Sequence, residues 1–142
     1  MAEPARGIPF RLVTPTELVF DGSAELVIAV TTEGEEGILP RHAPFLAALK
    51  PGVLRANVIG DAGASRLELA TSEGFMQALP DRVTVLVDEA LRFEQIVVSD
   101  ARRELNEAVE RQKAATPGSA LYAHEQAVIE FANAKLRLVG PK

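Results

Sequence analysis

The chain contains no cysteine, which excludes disulfides, thiolate metal sites and a cysteine nucleophile and is compatible with the cytoplasm. No apolar run approaches the roughly 20 residues that carry a helix across a bilayer, so no transmembrane segment is expected. The opening MAEPARGIPF lacks the apolar centre of a signal peptide. The expectation is therefore a chain that stays in the compartment where it is made. There is no Gly-rich phosphate loop followed by Lys-Ser/Thr, and no array of ligands at metal spacing. The two histidines lie in different regions. His42 reads as a loop residue bonded to backbone or as an interface residue, and His124 as a half-exposed helix position. No internal repeat or low-complexity tract is visible.

What is present suits one core with a modest appendage. The length is 142 residues, 47% of them hydrophobic and 25% charged, as in ordinary globular proteins. The net charge of −5 is unevenly placed: residues 1–98 hold 14 acids and 8 bases, and residues 99–142 hold 6 acids and 7 bases. An acidic body disfavours nucleic acid, because phosphate binding needs a basic face. The slightly basic tail reads as a solvated helix pair or as a surface for an acidic protein partner.

Residues 1–92 read as strands. Residues 10–13 are short and apolar. Asp21-Gly22 stands between 18–20 and 24–32 in the form of a hairpin turn. Residues 26–30 are apolar on both faces, which predicts a central, doubly covered strand. Leu54, Ala56 and Val58 alternate with polar neighbours, as do Leu67 and Leu69, and then Val83, Val85 and Val87. Turn signals recur every ten or so residues, leaving no room for crossover helices. The pattern predicts an antiparallel β-sandwich of about ten strands.

The character changes after Val98. Ser99 is an N-cap candidate, with Asp100 placed for the positive helix end. Ala101, Leu105, Ala108 and Val109 recur at helical spacing. Thr116-Pro117-Gly118-Ser119 interrupts, and Ser119 can cap a second helix. The short loop makes the two helices an antiparallel hairpin over 99–142. Apolar residues of the second helix spread over roughly 200° of its circumference, where one neighbour needs about 100°. The surplus has two readings: packing on the sandwich, or docking in another subunit.

Residues 33–55, EGEEGILPRHAPFLAALKPGVLR, compress an acidic cluster, a histidine, three prolines and a strand into one shaped corner. Gly34 and Gly37 free the backbone for tight turns around Glu33, Glu35 and Glu36. Pro40, Pro44 and Pro51 each remove a donor and fix a local angle. Solvated on a turn, the three acids lack the contrasting environments of an acid/base pair. Contact with a partner's polar loop is their functional reading.

This stretch resembles the signature of the epsilon subunit of F-type ATP synthases. The matching residues are Glu33, Gly34, Gly37, Ile38, Pro40, His42, Ala43, Pro44, Leu46, Lys50, Pro51 and Gly52. Residues 82–92, RVTVLVDEALR, resemble the family's last strand and its exit from the sheet. The resemblance implies a non-catalytic stalk subunit. Its sandwich, residues 1–92, would clamp the gamma subunit and rest on the c-subunit ring, helping to couple proton-driven rotation to ATP synthesis. Its hairpin, residues 99–142, would be regulatory, restraining hydrolysis when extended into the alpha/beta catalytic head. The subunit would be peripheral, at the cytoplasmic face of a bacterial cell membrane. Glu33, Glu35, Glu36 and His42 then form one partner interface. Arg102, Arg103, Arg111 and Lys113 form another, against acidic loops of gamma and the catalytic subunits.

Some members of the family bind ATP through a Leu/Ile-Asp-x-x-Arg-Ala motif. Here residues 98–103 are VSDARR: Arg102 matches, Ser99 replaces the acid and Arg103 the alanine. A shift by one residue recovers Asp100 and Arg103 instead. Arg102, Arg103 and Asp100 are thus the ATP candidates, and the departures lead to an expectation of weak ATP binding or none. The residues alone leave two other classes open. One is a small β enzyme with a helical lid, using His42 and Glu35 as acid and base in a concave pocket. The other is a free-standing nucleotide-sensing domain.

Overall fold

The computed structural model describes residues 7–140. Nine strands precede two helices among them: β1 (Ile8–Val13), β2 (Leu18–Thr31), β3 (Gly34–Ile38), β4 (Phe45–Leu49), β5 (Gly52–Gly60), β6 (Gly63–Thr71), β7 (Gly74–Leu79), β8 (Arg82–Val87) and β9 (Ala90–Arg92). A 3-10 turn, Phe93–Gln95, leads to α1 (Val98–Ala114) and α2 (Ala120–Val139). The sandwich and the helical hairpin are as expected, with nine strands where about ten are read from the sequence.

One difference lies at Asp21-Gly22. It is not a hairpin turn but lies within the first half of the 14-residue strand β2. Strand β1 runs beside it, pairing Phe10 with Gly22 and Arg11 with Asp21. The backbone groups that a turn would have bonded locally are taken by β1 instead. Gly22 leaves room for the Phe20 ring: a Cβ there would lie 2.9 Å from its tip, and the ring packs 5.4 Å from that of Phe10. Beyond Ala24 a bulge shifts the register of β2 against β5. Such a bulge bends a strand, and β2 serves both layers.

One layer runs β1-β8-β7-β4 and the other β2-β5-β6-β9, with β3 added on β2. The pair β1–β2 closes the circuit. The sandwich is antiparallel as expected, with one parallel pair, β1–β8. Between the layers lie Phe10, Leu12, Val27, Ile38, Leu54, Leu69, Met76, Val83 and Val85, each buried to within 1%. They come from alternate positions of their strands, as a pleated surface requires. In β2, Val27 and Ala29 face this core, while Leu26, Ile28 and Val30 are half-buried on the other side.

Helix α1 begins one residue before Ser99. Its N-cap is Val97, which offers no side-chain cap, and Ser99 lies inside the first turn. Asp100 still faces the positive helix end. Ser119 caps α2 as expected, its Oγ accepting from the Tyr122 amide at 3.1 Å. The broad apolar face of α2 is divided between α1 and the sheet. Phe131, Ala134 and Leu138 settle on Val53, Ala70, Leu91 and Ile96, outside the second layer. In this structure, then, the sandwich supplies the second cover.

Candidate docking surfaces

The acidic corner is mostly strand. Thr32 and Glu33 make a two-residue turn, and Gly34–Ile38 pairs back on β2 as an edge strand, where the sequence suggests a turn. Gly34 has φ +116°, a conformation that side chains resist. Thr31 locks the turn: its Oγ1 donates to the Gly34 carbonyl at 2.6 Å and accepts from the Glu33 amide at 3.0 Å. The pleat then separates the acids. Glu35 accepts from Arg55 Nη2 at 2.7 Å, whereas Glu33 and Glu36 border a hollow with Phe45 and Leu46.

His42 sits in the loop after β3. Its Nδ1 lies 2.9 Å from the Ala43 carbonyl, to which the protonated nitrogen donates, and its ring meets Phe45 edge-on at 5.2 Å. The preceding Arg41 has φ +66°, so the loop holds an unusual backbone turn. Glu35 instead lines a cleft of about 250 Å³ with Arg55, Glu68 and Arg137, and His42 is not among the lining residues. An acid/base pair of His42 and Glu35 is not assembled. Glu35→Lys would face Arg55 with a like charge, yet Glu35 is more than half exposed. The expected change in stability is within about 0.5 kcal/mol; a larger loss in urea melts would make Glu35 a structural residue.

Lys50-Pro51-Gly52 forms the next corner. A Cβ on Gly52 would lie 2.7 Å from Val30 Cγ2, so glycine is required where β5 starts against β2. The turn aims Lys50 at the hairpin, with Nζ 3.4 Å from Glu130 of α2.

The basic residues of the hairpin are largely paired within it. Arg103 meets Asp100 at 3.0 Å, Arg111 meets Glu125 at 3.1 Å, and Lys113 meets Glu110 at 3.3 Å. Arg102 forms no ion pair among the described residues. It lines a groove of about 1000 Å³ with Phe93, Ile96, Leu105 and Arg137. Of the three ATP candidates, Asp100 and Arg103 therefore hold each other, and Arg102 alone borders the groove. His124 is exposed.

A surface that the sequence reading missed lies on the first layer. The registers align Ala48 of β4, Phe75 of β7, Leu86 of β8 and Val13 of β1 in one cross-strand row. Phe75 is 55% exposed, Leu86 52%, and Leu46, two residues from Ala48, 70%. A signal for it existed: with Val83, Val85 and Val87 inward, Leu86 must point out. The row lies outside β1-β8-β7-β4, whereas α2 covers the outside of β5 and β6. The sandwich thus has helices on one face and bare apolar side chains on the other.

These features define a class: a β-sandwich with one outer face under a helical hairpin and an apolar row on the opposite face. The family model for the beta-sandwich domain of the ATP synthase delta/epsilon chain matches residues 8–93. The ATP synthase epsilon chain of Chromobacterium violaceum is 38% identical over 125 residues, covering 87% of this chain and 88% of its own. ATP synthase epsilon chain 1 of Methylococcus capsulatus is 40% identical over 119 residues, covering 84% and 82%. A chain of the Euglena gracilis mitochondrial ATP synthase superposes with TM-score 0.74 at 22% identity, over 95% of this chain and 82% of that one. A chain of the Tetrahymena thermophila mitochondrial ATP synthase, from its central stalk and c-ring, gives 0.65 at 18%, over 94% and 99%. At these identities the structural likenesses show the fold. The chain belongs to the ATP synthase delta/epsilon chain family. None of the described helices is long and apolar enough to cross a membrane.

Proposed function

We propose that the chain is the central-stalk epsilon subunit of an F-type ATP synthase. In this reading it carries no active site, and couples rotation of the c-subunit ring to ATP synthesis as a peripheral subunit at the cytoplasmic face of a bacterial membrane. The observation that carries the reading is the row Val13, Leu86, Phe75 and Ala48 with Leu46. Bare apolar side chains in register across four strands mark an interaction face, and we assign it to the gamma subunit. Glu36, on the edge strand β3, and Glu33, in the turn before it, face a polar loop of the c ring. ATP is no required cofactor in this reading, since Asp100 is held by Arg103. The hairpin restrains hydrolysis when it leaves the sandwich for gamma and the catalytic head, where Arg102, Arg103, Arg111 and Lys113 exchange their present neighbours for acidic loops.

The test is co-purification with gamma. Phe75→Glu with Leu86→Glu puts charge on exposed positions, so the fold should persist while gamma binding falls at least about a hundredfold. Deleting residues 99–142 should leave gamma binding intact and raise ATP hydrolysis by the assembled complex. Wild-type binding by the double variant would remove this face from the interface. Unchanged hydrolysis after the deletion would remove the inhibitory role but not the place in the stalk.

A further inference from the structure

We propose that the bare face of the first layer is polarised, and that Glu73 and Asp88 at one end of it select the patch of gamma that docks there. That patch carries a lysine or arginine beside its apolar side chains. The proposal rests on the epsilon-subunit reading and goes beyond it, stating what the gamma patch contains and which way round it sits.

The polarity follows from the registers. Ala48, Phe75, Leu86 and Val13 form the apolar row. One step along the strands in one direction the facing residues are Gln77 and Thr84, with Arg11 beyond them on β1. One step the other way, about 7 Å from the row, Glu73 and Asp88 stand side by side, the Asp88 amide donating to the Glu73 carbonyl at 3.3 Å. Alternation puts both side chains on the outer face, and a hollow of about 680 Å³ is lined by Phe75, Leu86, Glu73 and Asp88 together.

Both carboxylates are exposed, and neither forms an ion pair among the described residues. Lys50, two residues past Ala48, is engaged by Glu130 of α2 at 3.4 Å instead. Like charges opposite each other on neighbouring strands destabilise a sheet, and no base among the described residues offsets these two. A partner's ammonium or guanidinium would. The opposite end has no equivalent: Gln77 and Thr84 are uncharged, and Arg11 is held by Asp21 at 3.4 Å.

This asymmetry supplies what the apolar row lacks. Burial of apolar surface is non-directional, so the row by itself accepts a partner in more than one orientation. The acid pair favours the orientation that brings a cation to it. In the reversed one the two carboxylates lose water with nothing to pair with, which is how a wrong arrangement is rejected.

Charges at the rim of an interface act mainly on the association rate and its dependence on salt. Stopped-flow mixing of the full chain with gamma therefore tests the proposal. Glu73→Lys with Asp88→Lys should slow association at least about tenfold in dilute salt. The deficit should shrink as the screening length falls from about 10 Å at 0.1 M salt to about 3 Å at 1 M. Asp61→Lys with Glu107→Lys makes the same change in net charge, on the β5–β6 turn and on α1, and should slow association less than about twofold. Should the first variant fail to fold, Glu73→Gln with Asp88→Asn removes the charges without changing shape and should slow association about threefold. Native rates in the acid variants would overturn the proposal, and so would an equal loss in the Asp61 and Glu107 control. Either result leaves the gamma face standing, because Phe75→Glu with Leu86→Glu tests that separately. A native chain that does not bind gamma would overturn both.

Discussion

Gly74→Ala is expected to destabilise the sandwich by about 3 kcal/mol, the upper part of the range for overpacking a closed site. Gly74 stands at the start of β7, opposite Leu49 of β4 on one side and Val87 of β8 on the other. A Cβ built there would run into the Leu86 carbonyl oxygen and lie 2.8 Å from both the Leu86 carbonyl carbon and the Val87 Cα. All three are backbone atoms, so no rotamer change relieves the clash. Either the β7–β8 ladder shifts or the strand end detaches. Gly34→Ala is the control: nothing lies within 4 Å of its Cβ, and only the φ of +116° opposes it. That strain is worth about 1–2 kcal/mol. Guanidinium unfolding with equal slopes would compare the two variants. A Gly74→Ala protein as stable as Gly34→Ala would show that the ladder yields at little cost.

Phe131→Ala is expected to cost about 3 kcal/mol, with the loss confined to the hairpin. Phe131 is the largest side chain in the joint between α2 and the sheet, and its ring also carries the Lys135 ammonium on one face. Its removal takes away both the apolar anchor and the cation's aromatic partner. The sandwich has its own core of seventeen buried residues, none of them from the helices, so its transition should remain. Helical ellipticity should then be lost at lower temperature than the strand signal, and protease should enter near residues 93–98 first. One transition, lowered as a whole, would instead make hairpin and sandwich a single cooperative unit.

The registers of the outer row explain why the candidate gamma face escaped the sequence. Phe75 and Leu86 are neighbours only because β7 and β8 pair at that phase, and Val13 joins them through the parallel β1–β8 pairing. The alternation of β8 is local and could be read. The parallel contact bridges some seventy residues with no turn to record it. The acid pairings are of the same kind: Glu35 meets Arg55 across β3, β2 and β5, and Arg111 meets Glu125 across a helix seam.

The sequence by itself determined the division into strands and helices, the cap at Ser119, the Lys50-Pro51-Gly52 corner and the family signature from Glu33 to Gly52. All of these rest on interactions within a few residues, where side-chain type sets the backbone's choices. Tertiary structure alone decided that Asp21-Gly22 continues a strand, because β1 bonds the backbone there. It decided that Gly34–Ile38 is an edge strand rather than a turn, because β2 offers it a ladder. It decided, too, that α2 lies on the sandwich, because Val53, Ala70 and Leu91 are bare on the outer face and take up the apolar surface that α1 leaves uncovered. Local preference in each case was weaker than the partners that long-range folding brought alongside.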